Sequence, residues 1–419
     1  MNQKDNKLST EPYKGVRDFY PEDQFLHKYM FEQLSRTCEL FGYEEYSASV
    51  LEPAELYRSK TSDEIVNEQT YTFTDRGERE VTLRPEMTPT VARMVAGKRR
   101  DLALPVRWYS AQNFFRYERP QRGRLREFWQ LNADIVGSKG IESDAEILML
   151  AHALLRGLGA EEKDFEIRVS DRRLLEAAYD DAGIPATLRA SVTRLLDRRS
   201  KIDDFMGALR ELVGQNADAL VDYLDRTTST AYLEELRALL KNAGINNMIV
   251  DTKITRGFDY YTGMVFEIFD TNEANRRSIF GGGRYDNLLS LFSDESLPAV
   301  GFAVGDVTLH DFLETHKLLP KYAPATELMI CIVDATALPH AMKLAQDLRQ
   351  EDVAVAVNLS GKKIGDQIKQ ADKLAIPFVI AVGENERNLG RYTIKNLNTG
   401  HEIALSADRI AEHLFSSMG

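Results

Sequence analysis

An arginine-rich segment in the first third of the chain places the strongest constraint on how the chain folds. Residues 107–137 are predicted to form two β-strands joined by a loop, and residues 116–126 carry five arginines and a single acidic residue. Because like charges this close repel one another, the loop either spreads its arginines into solvent or directs some of them at a polyanion. Both alternatives fit this segment alone. The five residues are Arg116, Arg119, Arg122, Arg124 and Arg126.

The second strand of this hairpin indicates a side that faces a ligand. From Glu127 onward, apolar residues suited to a core alternate with polar ones. Gln130, Asn132 and Asp134 fall on one face together with Phe128, beside the cationic loop. Such a row could bind a small polar ligand while the arginines bind phosphate. The core-facing set is Trp129, Leu131, Ala133 and Ile135.

Length, charge and composition exclude several classes of protein. A chain of 419 residues exceeds one ordinary domain, so two or three domains are expected. The net charge of −12 argues against a uniformly basic nucleic-acid surface, although it permits a local cationic face. The polar start and the lack of a long apolar run predict a cytoplasmic protein without a membrane segment. Two distant cysteines and seven scattered histidines predict neither a disulfide nor a protein metal site.

A predicted hairpin over residues 71–84 leads into a helix that runs to about Arg99. Pro85 fixes the backbone just before this helix, which suits a helix start. Glu86 and Thr88 lie at the start. They either cap the helix or receive an ammonium group from a ligand.

The middle of the chain is predicted to be a helical insertion, residues 171–245 or so, between two β-rich parts of one domain. Strands resume at Met248 and contain the sequence RGFDYYTG, where an arginine beside glycine lets a ligand approach and two tyrosines pack or donate hydrogen bonds. The sequence IFGGGRYD follows. Three glycines in a strand indicate close approach of another backbone or of a flat ligand, and a β-bulge is the alternative.

The tail is predicted to be a separate domain. Residues 1–325 would form the first domain and residues 326–419 the second, with a proline-containing linker before it. Strands and helices alternate in the tail, which predicts a small α/β domain with a largely parallel sheet. No Walker A or dinucleotide-binding fingerprint occurs in the chain, so any nucleotide would bind to another architecture.

Four sequences in order resemble histidyl-tRNA synthetases, a family of class II aminoacyl-tRNA synthetases, over nearly the whole chain. They are LRPEMT at 83–88, FRYERPQRGRLREFWQLNAD at 115–134, RGFDYYTG at 256–263 and GGGRYD at 281–286. The resemblance implies an α+β catalytic domain with an antiparallel sheet flanked by helices, a helical insertion, and a C-terminal α/β anticodon-binding domain. It also implies a homodimer that joins histidine and ATP into histidyl-adenylate and then charges a tRNA.

The same resemblance implies residues that bind ATP. Arg116 would contact the α-phosphate, and Arg124 would help to hold the phosphates, with Glu118 and Arg284 also assigned to the ATP site. Arg256 would lie between the α-phosphate and the histidine carboxylate. Mg²⁺ would bridge the β- and γ-phosphates. Neutralising two anions that meet is the main catalytic need, so fixed arginine charges suit this reaction.

Histidine would be recognised at both of its ends. Asp134 and Tyr261 would bracket the two imidazole nitrogens, and a matched buried donor and acceptor reject other amino acids by a factor on the order of 10⁴. Glu86, Thr88 and Gln130 would receive the α-ammonium group. The implied histidine-binding set is Glu86, Thr88, Gln130, Asp134, Arg256, Tyr260 and Tyr261.

Two departures from the family pattern matter. Ser49 stands where the first motif usually has a proline at the dimer interface. Val307 and Thr308 stand where the third motif usually ends in Glu-Arg, so either Arg119 or Arg284 substitutes or ATP binding is weaker. A weaker ATP site keeps two alternatives open. One is a non-catalytic histidine-binding relative such as the regulatory subunit of ATP phosphoribosyltransferase, and the other is a tRNA-binding sensor.

Replacement of Arg256 by alanine is expected to abolish histidine-dependent exchange of labelled pyrophosphate into ATP. The reason is that Arg256 would neutralise the repulsion between the histidine carboxylate and the α-phosphate. Thermal unfolding of the variant should match that of the wild type. Unchanged exchange would remove Arg256 from the mechanism.

Overall fold

The computed structural model describes residues 8–58, 69–121, 123–197, 199, 202–252, 254, 260–275, 277–287, 289–292 and 296–418. The chain divides into two compact units, one comprising Met1–Phe19 with Leu26–Leu319 and the other Tyr20–Phe25 with Pro320–Gly419. The boundary placed between residues 325 and 326 stays a prediction.

The first unit is built on a mixed eight-stranded sheet with the order β1-β5-β6-β11-β10-β9-β7-β8. Its strands are β1 Glu44–Glu45, β5 Val106–Phe115, β6 Glu127–Val136, β7 Phe165–Asp171, β8 Met248–Val250, β9 Met264–Asp270, β10 Ser278–Arg284 and β11 Ala299–Gly305. The outermost pairs, β1 with β5 and β7 with β8, are parallel, and every pair between them is antiparallel. The predicted antiparallel sheet is therefore confirmed, with parallel pairing at its two edges.

Helices cover both faces of this sheet. The helices of this unit, including those of the insertion, are α1 Pro21–Leu40, α2 Glu55–Arg58, α3 Thr88–Lys98, α4 Ile141–Gly157, α5 Arg172–Asp181, α6 Ala186–Asp197, α7 Phe205–Val213, α8 Asn216–Arg226, α9 Ala231–Asn242 and α10 Asp306–Thr315. Leu34 of α1, Leu148 of α4 and Phe312 of α10 pack with Leu131 and Ile135 of β6 in one buried core. α3 contributes to a second cluster, which includes side chains of β5. Flanking helices are confirmed.

The two predicted hairpins form as expected. Strands β5 and β6 pair from Val106 with Val136 to Phe115 with Glu127. In the smaller hairpin, β3 Tyr71–Thr74 pairs with β4 Glu80–Leu83, and β2 Leu51–Pro53 extends it to a three-stranded sheet. Its turn is closed by the Asp75 carboxylate, which accepts hydrogen bonds from the backbone N–H groups of Gly77 and Arg79. Because an aspartate side chain can close a turn in this way, the hairpin could be predicted from its local sequence.

The helical insertion is confirmed between β7 and β8, and it contributes to two cores. Leu196 and Leu220 belong to a core that the insertion forms from its own helices. Leu233, Leu236 and Leu240 of α9 instead pack into the main core beside α4. The last helix of the insertion therefore anchors it to the main core of the unit.

Close approach between strands explains the glycine run in β10. Gly282 pairs with Phe302 of β11, and a Cβ atom at Gly282 would lie 2.0 Å from the carbonyl oxygen of Gly301. A register shift also occurs between Ser278 and Phe280 in the pairing with β9. The predicted close approach of a backbone is thus confirmed, and a bulge-like irregularity lies at the beginning of the same strand.

The second unit contains a five-stranded sheet with the order β13-β12-β14-β15-β16. Its strands are β12 Leu328–Ile332, β13 Val355–Val357, β14 Phe378–Val382, β15 Arg391–Asn396 and β16 Glu402–Ser406, and its helices are α11 Leu338–Gln350, α12 Ile364–Lys373, α13 Glu384–Leu389 and α14 Ile410–Met418. β12 pairs in parallel with both β13 and β14, whereas β15 pairs antiparallel with both β14 and β16. This confirms the α/β domain. Among the described residues, no helix combines the length and the apolar character that a membrane crossing requires.

Replacing Gly282 with alanine is expected to lower the free energy of unfolding by about 2 kcal/mol, because the new methyl group would collide with the backbone of β11. Gly97 is a matched control. It lies in helix α3, and a Cβ atom there would meet nothing within 4 Å. Alanine at 97 should stabilise by up to about 1 kcal/mol. Urea unfolding measures both, and equal effects at the two positions would refute the close-approach explanation.

Candidate active site

One cavity brings together most of the residues that the sequence predicts as functional. Its volume is about 330 Å³, which suits a small-molecule site. It lies over the face of β6 that carries Gln130 and Asp134, opposite the face packed into the main core. The predicted alternation of β6 is therefore confirmed. The predicted site residues that line the cavity are Glu86, Thr88, Arg116, Glu118, Arg124, Gln130, Asp134, Tyr260 and Tyr261.

Asp134 places a buried carboxylate in this cavity. Burial raises the pKa of Asp134 to about 7, while a hydrogen bond donated by the Tyr285 hydroxyl favours the ionised form. Burial also holds the pKa of Tyr285 well above its ordinary value, so the hydroxyl remains a donor. Gly301 lies opposite Asp134 on β11, and a Cβ atom there would be 2.0 Å from the Asp134 Oδ1 atom. The missing side chain makes room for the carboxylate.

A second buried carboxylate lies at the start of α3. The Tyr260 hydroxyl donates to Oε2 of Glu86 at 3.3 Å, and the Tyr57 hydroxyl donates to the Glu86 backbone carbonyl. The residue that caps α3 is Met87, whose side chain makes no capping hydrogen bond. The helix-capping interpretation of Glu86 and Thr88 is therefore not supported. Both side chains face the cavity, where an acidic group and a hydroxyl suit an ammonium group.

The hairpin loop supplies the cationic side of the cavity. The Arg116 Nε atom donates to the Pro85 carbonyl at 3.0 Å, and its guanidinium lies 5.3 Å from the centre of the Phe128 ring. Glu118 lies between the two arginines that line the cavity, 4.0 Å from Arg116 and 3.1 Å from Arg124. The Arg116 side chain is 19% exposed and that of Arg124 is 57% exposed. Arg116 is thus fixed by the fold, whereas Arg124 remains accessible to a ligand.

The structure corrects the expectation for Arg284. This side chain does not line the active-site cavity. It forms a buried ion pair with Asp144 at 2.7 Å, and it also donates to the Ser143 hydroxyl and the Ser138 carbonyl. A guanidinium held in this way links the end of β10 to the start of α4 and is not directed at this cavity. The Arg119 side chain is exposed and does not line the cavity either. Arg256 and Arg122 lie outside the described residues.

The third-motif residues do line the cavity. The Thr308 hydroxyl donates to the Ile279 carbonyl at 2.6 Å, so it ties α10 to β10. The neighbouring Asp306 is paired with Arg17, and its carboxylate also accepts the backbone N–H of Trp129 at 3.0 Å. These side chains are committed to the protein itself, and neither Val307 nor Thr308 offers a cation.

Sequence reasoning missed the roles of Tyr285 and Asp306. Tyr285 lies inside the GGGRYD motif, so the motif was a signal although no role was assigned to this residue. Asp306 had no comparable signal, because its partner Arg17 lies in the N-terminal segment, 289 residues away. Both residues make contacts that only the folded chain creates.

The fold and the cavity define a class II aminoacyl-tRNA synthetase. A family model described as histidyl-tRNA synthetase matches residues 15–308, and one described as an anticodon-binding domain matches residues 327–415. The chain belongs to the histidyl-tRNA synthetase family.

Known proteins resemble this chain over nearly its full length. The histidine–tRNA ligase of Leptospira biflexa is 40% identical, over 96% of this chain and 97% of its own. That of Haloarcula marismortui is 36% identical, over 94% of each chain. Among solved structures, the histidyl-tRNA synthetase of Nostoc sp. PCC 7120 has a TM-score of 0.78 at 23% identity, covering 98% of this chain and 100% of that one, which shows the shared fold.

A further similar structure bears on the regulatory alternative. It is titled an ATP phosphoribosyltransferase regulatory subunit/histidyl-tRNA synthetase from Bacillus halodurans and has a TM-score of 0.71 at 24% identity, over 87% of this chain and 97% of that one. This likeness shows the fold alone. Because the curated relatives that match at higher identity are named as ligases, the non-catalytic regulatory reading is not favoured.

The raised pKa of Asp134 predicts a specific pH dependence of stability. The folded protein keeps this proton between about pH 4 and pH 7, where the unfolded chain has lost it. The contribution of Asp134 to the free energy of unfolding therefore falls as pH rises through this window. Asp134→Asn should gain about 2 kcal/mol relative to wild type on going from pH 5 to pH 8. Urea unfolding at both pH values tests this, and a pH-independent difference would contradict it.

Proposed function

We propose that this chain attaches histidine to its tRNA in two steps. Histidine and ATP first form histidyl-adenylate and pyrophosphate, and the histidyl group then passes to the 3′ end of the tRNA. The observation that supports this most is a single cavity that is lined both by buried carboxylates among tyrosines and by arginines of the hairpin loop. Such an arrangement suits a ligand with a cationic part and a ligand with a phosphate chain.

Histidine would occupy the part of the cavity that contains the two buried carboxylates. Glu86, Thr88 and Gln130 would receive its α-ammonium group, with Tyr260 orienting Glu86 through their hydrogen bond. Asp134 would accept an imidazole N–H. A donor beside this carboxylate favours its ionised form, so bound histidine would lower the pKa of Asp134.

The second imidazole nitrogen would be matched by Tyr261. Its ring lies 4.9 Å from that of Tyr260 and it lines the cavity. An amino acid without a ring N–H would leave the buried Asp134 carboxylate with the Tyr285 hydroxyl as a donor but without one from the ligand. That penalty, together with the tyrosine contact, is the proposed source of selectivity for histidine.

ATP would lie along the loop side of the cavity. Arg116 would contact the α-phosphate and Arg124 the remaining phosphates, while Glu118 holds the two arginines beside each other. A carboxylate oxygen of histidine attacks the α-phosphorus, the bond to the bridging oxygen breaks, and pyrophosphate leaves. Arg256 would lie between the two anions, and it completes the proposed catalytic pair with Arg116.

Magnesium is proposed to accompany ATP. Mg²⁺ prefers hard oxygen ligands such as carboxylates and phosphates. Among the described lining residues, Glu118 is the carboxylate beside both arginines, and its side chain is 13% exposed, so its oxygens suit such an ion. When bound, the ion would add positive charge at the β- and γ-phosphates.

The remaining assignments complete the proposal. The unit that matches the anticodon-binding family would bind the histidine tRNA, with domain boundaries at about 325 and 326 and an insertion over residues 171–245. The chain would act as a homodimer in the cytoplasm. Ser49 is exposed in the single chain and precedes β2, which leaves this segment accessible for a dimer contact.

Amino-acid-dependent pyrophosphate exchange tests the proposed activity. Histidine should support incorporation of labelled pyrophosphate into ATP, and the other standard amino acids should not. Arg116→Ala should lower the rate by about 100-fold, because it removes a fixed donor for the developing charge. Arg76 is a control, since its side chain is exposed in the β3–β4 turn and does not line the cavity. No exchange with histidine, or equal exchange with several amino acids, would refute the proposal.

A further inference from the structure

A second cavity adjoins the active site on the side of the hairpin loop. Its volume is about 280 Å³, and it shares Gly123, Ser278, Ile279 and Thr308 with the active-site cavity as common wall residues. None of the described residues proposed to bind histidine lines it. The second cavity therefore extends the part of the site that would hold phosphates, not the part that would hold the amino acid.

Arg277 lines this second cavity immediately before β10 begins. A Cβ atom placed on Gly123 would lie 3.5 Å from the Arg277 Nη1 atom and 3.7 Å from the Thr308 Cγ2 atom. The Arg277 guanidinium and the Thr308 methyl group thus approach the same point of the loop. Gly123 directly precedes Arg124, so Arg277 lies beside the loop that carries the proposed phosphate-binding arginine.

Thr308 cannot provide charge at this point. Its hydroxyl donates a hydrogen bond to the Ile279 carbonyl at 2.6 Å, and its methyl group is the part that approaches Gly123. Arg284 is buried in its pair with Asp144, and Arg119 does not line either cavity. Arg277 is the arginine that the described structure places next to Thr308 and Gly123.

We propose that Arg277 binds the β- and γ-phosphates of ATP, at the position beside Thr308 where the third motif has lost its cation. The inference rests on the proposed function of the site. A guanidinium offers forked donors that match phosphate oxygens, and the Arg277 side chain is exposed beside the loop. Arg277 would act with Arg124 on the pyrophosphate that leaves, while Arg116 acts on the α-phosphate.

Acidic residues limit where the phosphates lie. Glu273 and Asp311 also line the second cavity, so an anion does not suit the whole of it. The edge next to Gly123 is different, because the Arg277 guanidinium approaches Gly123 there and Arg124 follows Gly123 in the loop. The phosphates are therefore placed at this shared edge, with Arg277 reaching it from the second cavity.

Steady-state pyrophosphate exchange by the full-length chain tests the inference. For Arg277→Ala, the KM values for ATP and for pyrophosphate should each rise about tenfold, whereas the KM for histidine should stay within about twofold. Arg277→Lys, which keeps the charge and loses the fork, should lie between Arg277→Ala and wild type. Inhibition by AMP should be unchanged, because AMP lacks the phosphates that Arg277 would bind. Arg237→Ala is the matched control, since Arg237 is a surface arginine of α9 that lines neither cavity.

The outcomes separate this inference from the proposed function. If the wild type shows no histidine-dependent exchange, the proposed function fails and the inference falls with it. If the wild type exchanges and Arg277→Ala keeps its KM for ATP, the inference on Arg277 alone is wrong. A parallel loss of AMP inhibition would also overturn it, because Arg277 would then act on the nucleoside end of ATP.

Discussion

The buried carboxylate of Asp134 is the constraint on which the rest of the site depends. A carboxylate removed from water is costly unless hydrogen-bond donors surround it, and the free protein supplies one through Tyr285. The strand opposite gives up a side chain at Gly301 to make this geometry fit. With a pKa of about 7, the group is poised between its two protonation states, so a ligand that offers an N–H shifts it toward the charged form.

The cavity carries fixed charges of both signs. Asp134 and Glu86 suit the cationic part of a ligand, and Arg116 and Arg124 suit a phosphate chain. Asp134 belongs to β6, and Arg116 and Arg124 belong to the loop that joins β5 to β6, so one hairpin fixes these three groups relative to one another. In the proposed reaction, this preorganisation would lower the entropic cost of bringing two anions together. Thr308 adds no charge to the cavity, whereas Arg116 and Arg124 of the hairpin loop do.

Local patterns in the sequence predicted the elements but not their distant partners. The alternation in β6 and the turn after Tyr71–Thr74 are encoded in a few consecutive residues, so the hairpins, the polar face of β6 and the α/β tail were predicted correctly. The role of Arg284 was predicted wrongly, since its partner Asp144 lies 140 residues away and a charge alone does not reveal which carboxylate it will meet. The glycine run predicted a close approach, and only the fold identified Gly301 as the neighbour.

Direct binding of histidine in the absence of ATP tests the central claim most closely. Isothermal titration at pH 8, where Asp134 is largely ionised, would compare the wild type with Asp134→Asn. If the buried carboxylate recognises the imidazole N–H, the variant should bind histidine about 100-fold more weakly, because a charge-assisted hydrogen bond is lost in a buried site. Equal affinity of the two proteins would show that this carboxylate does not recognise the side chain, and the account of the site would fail.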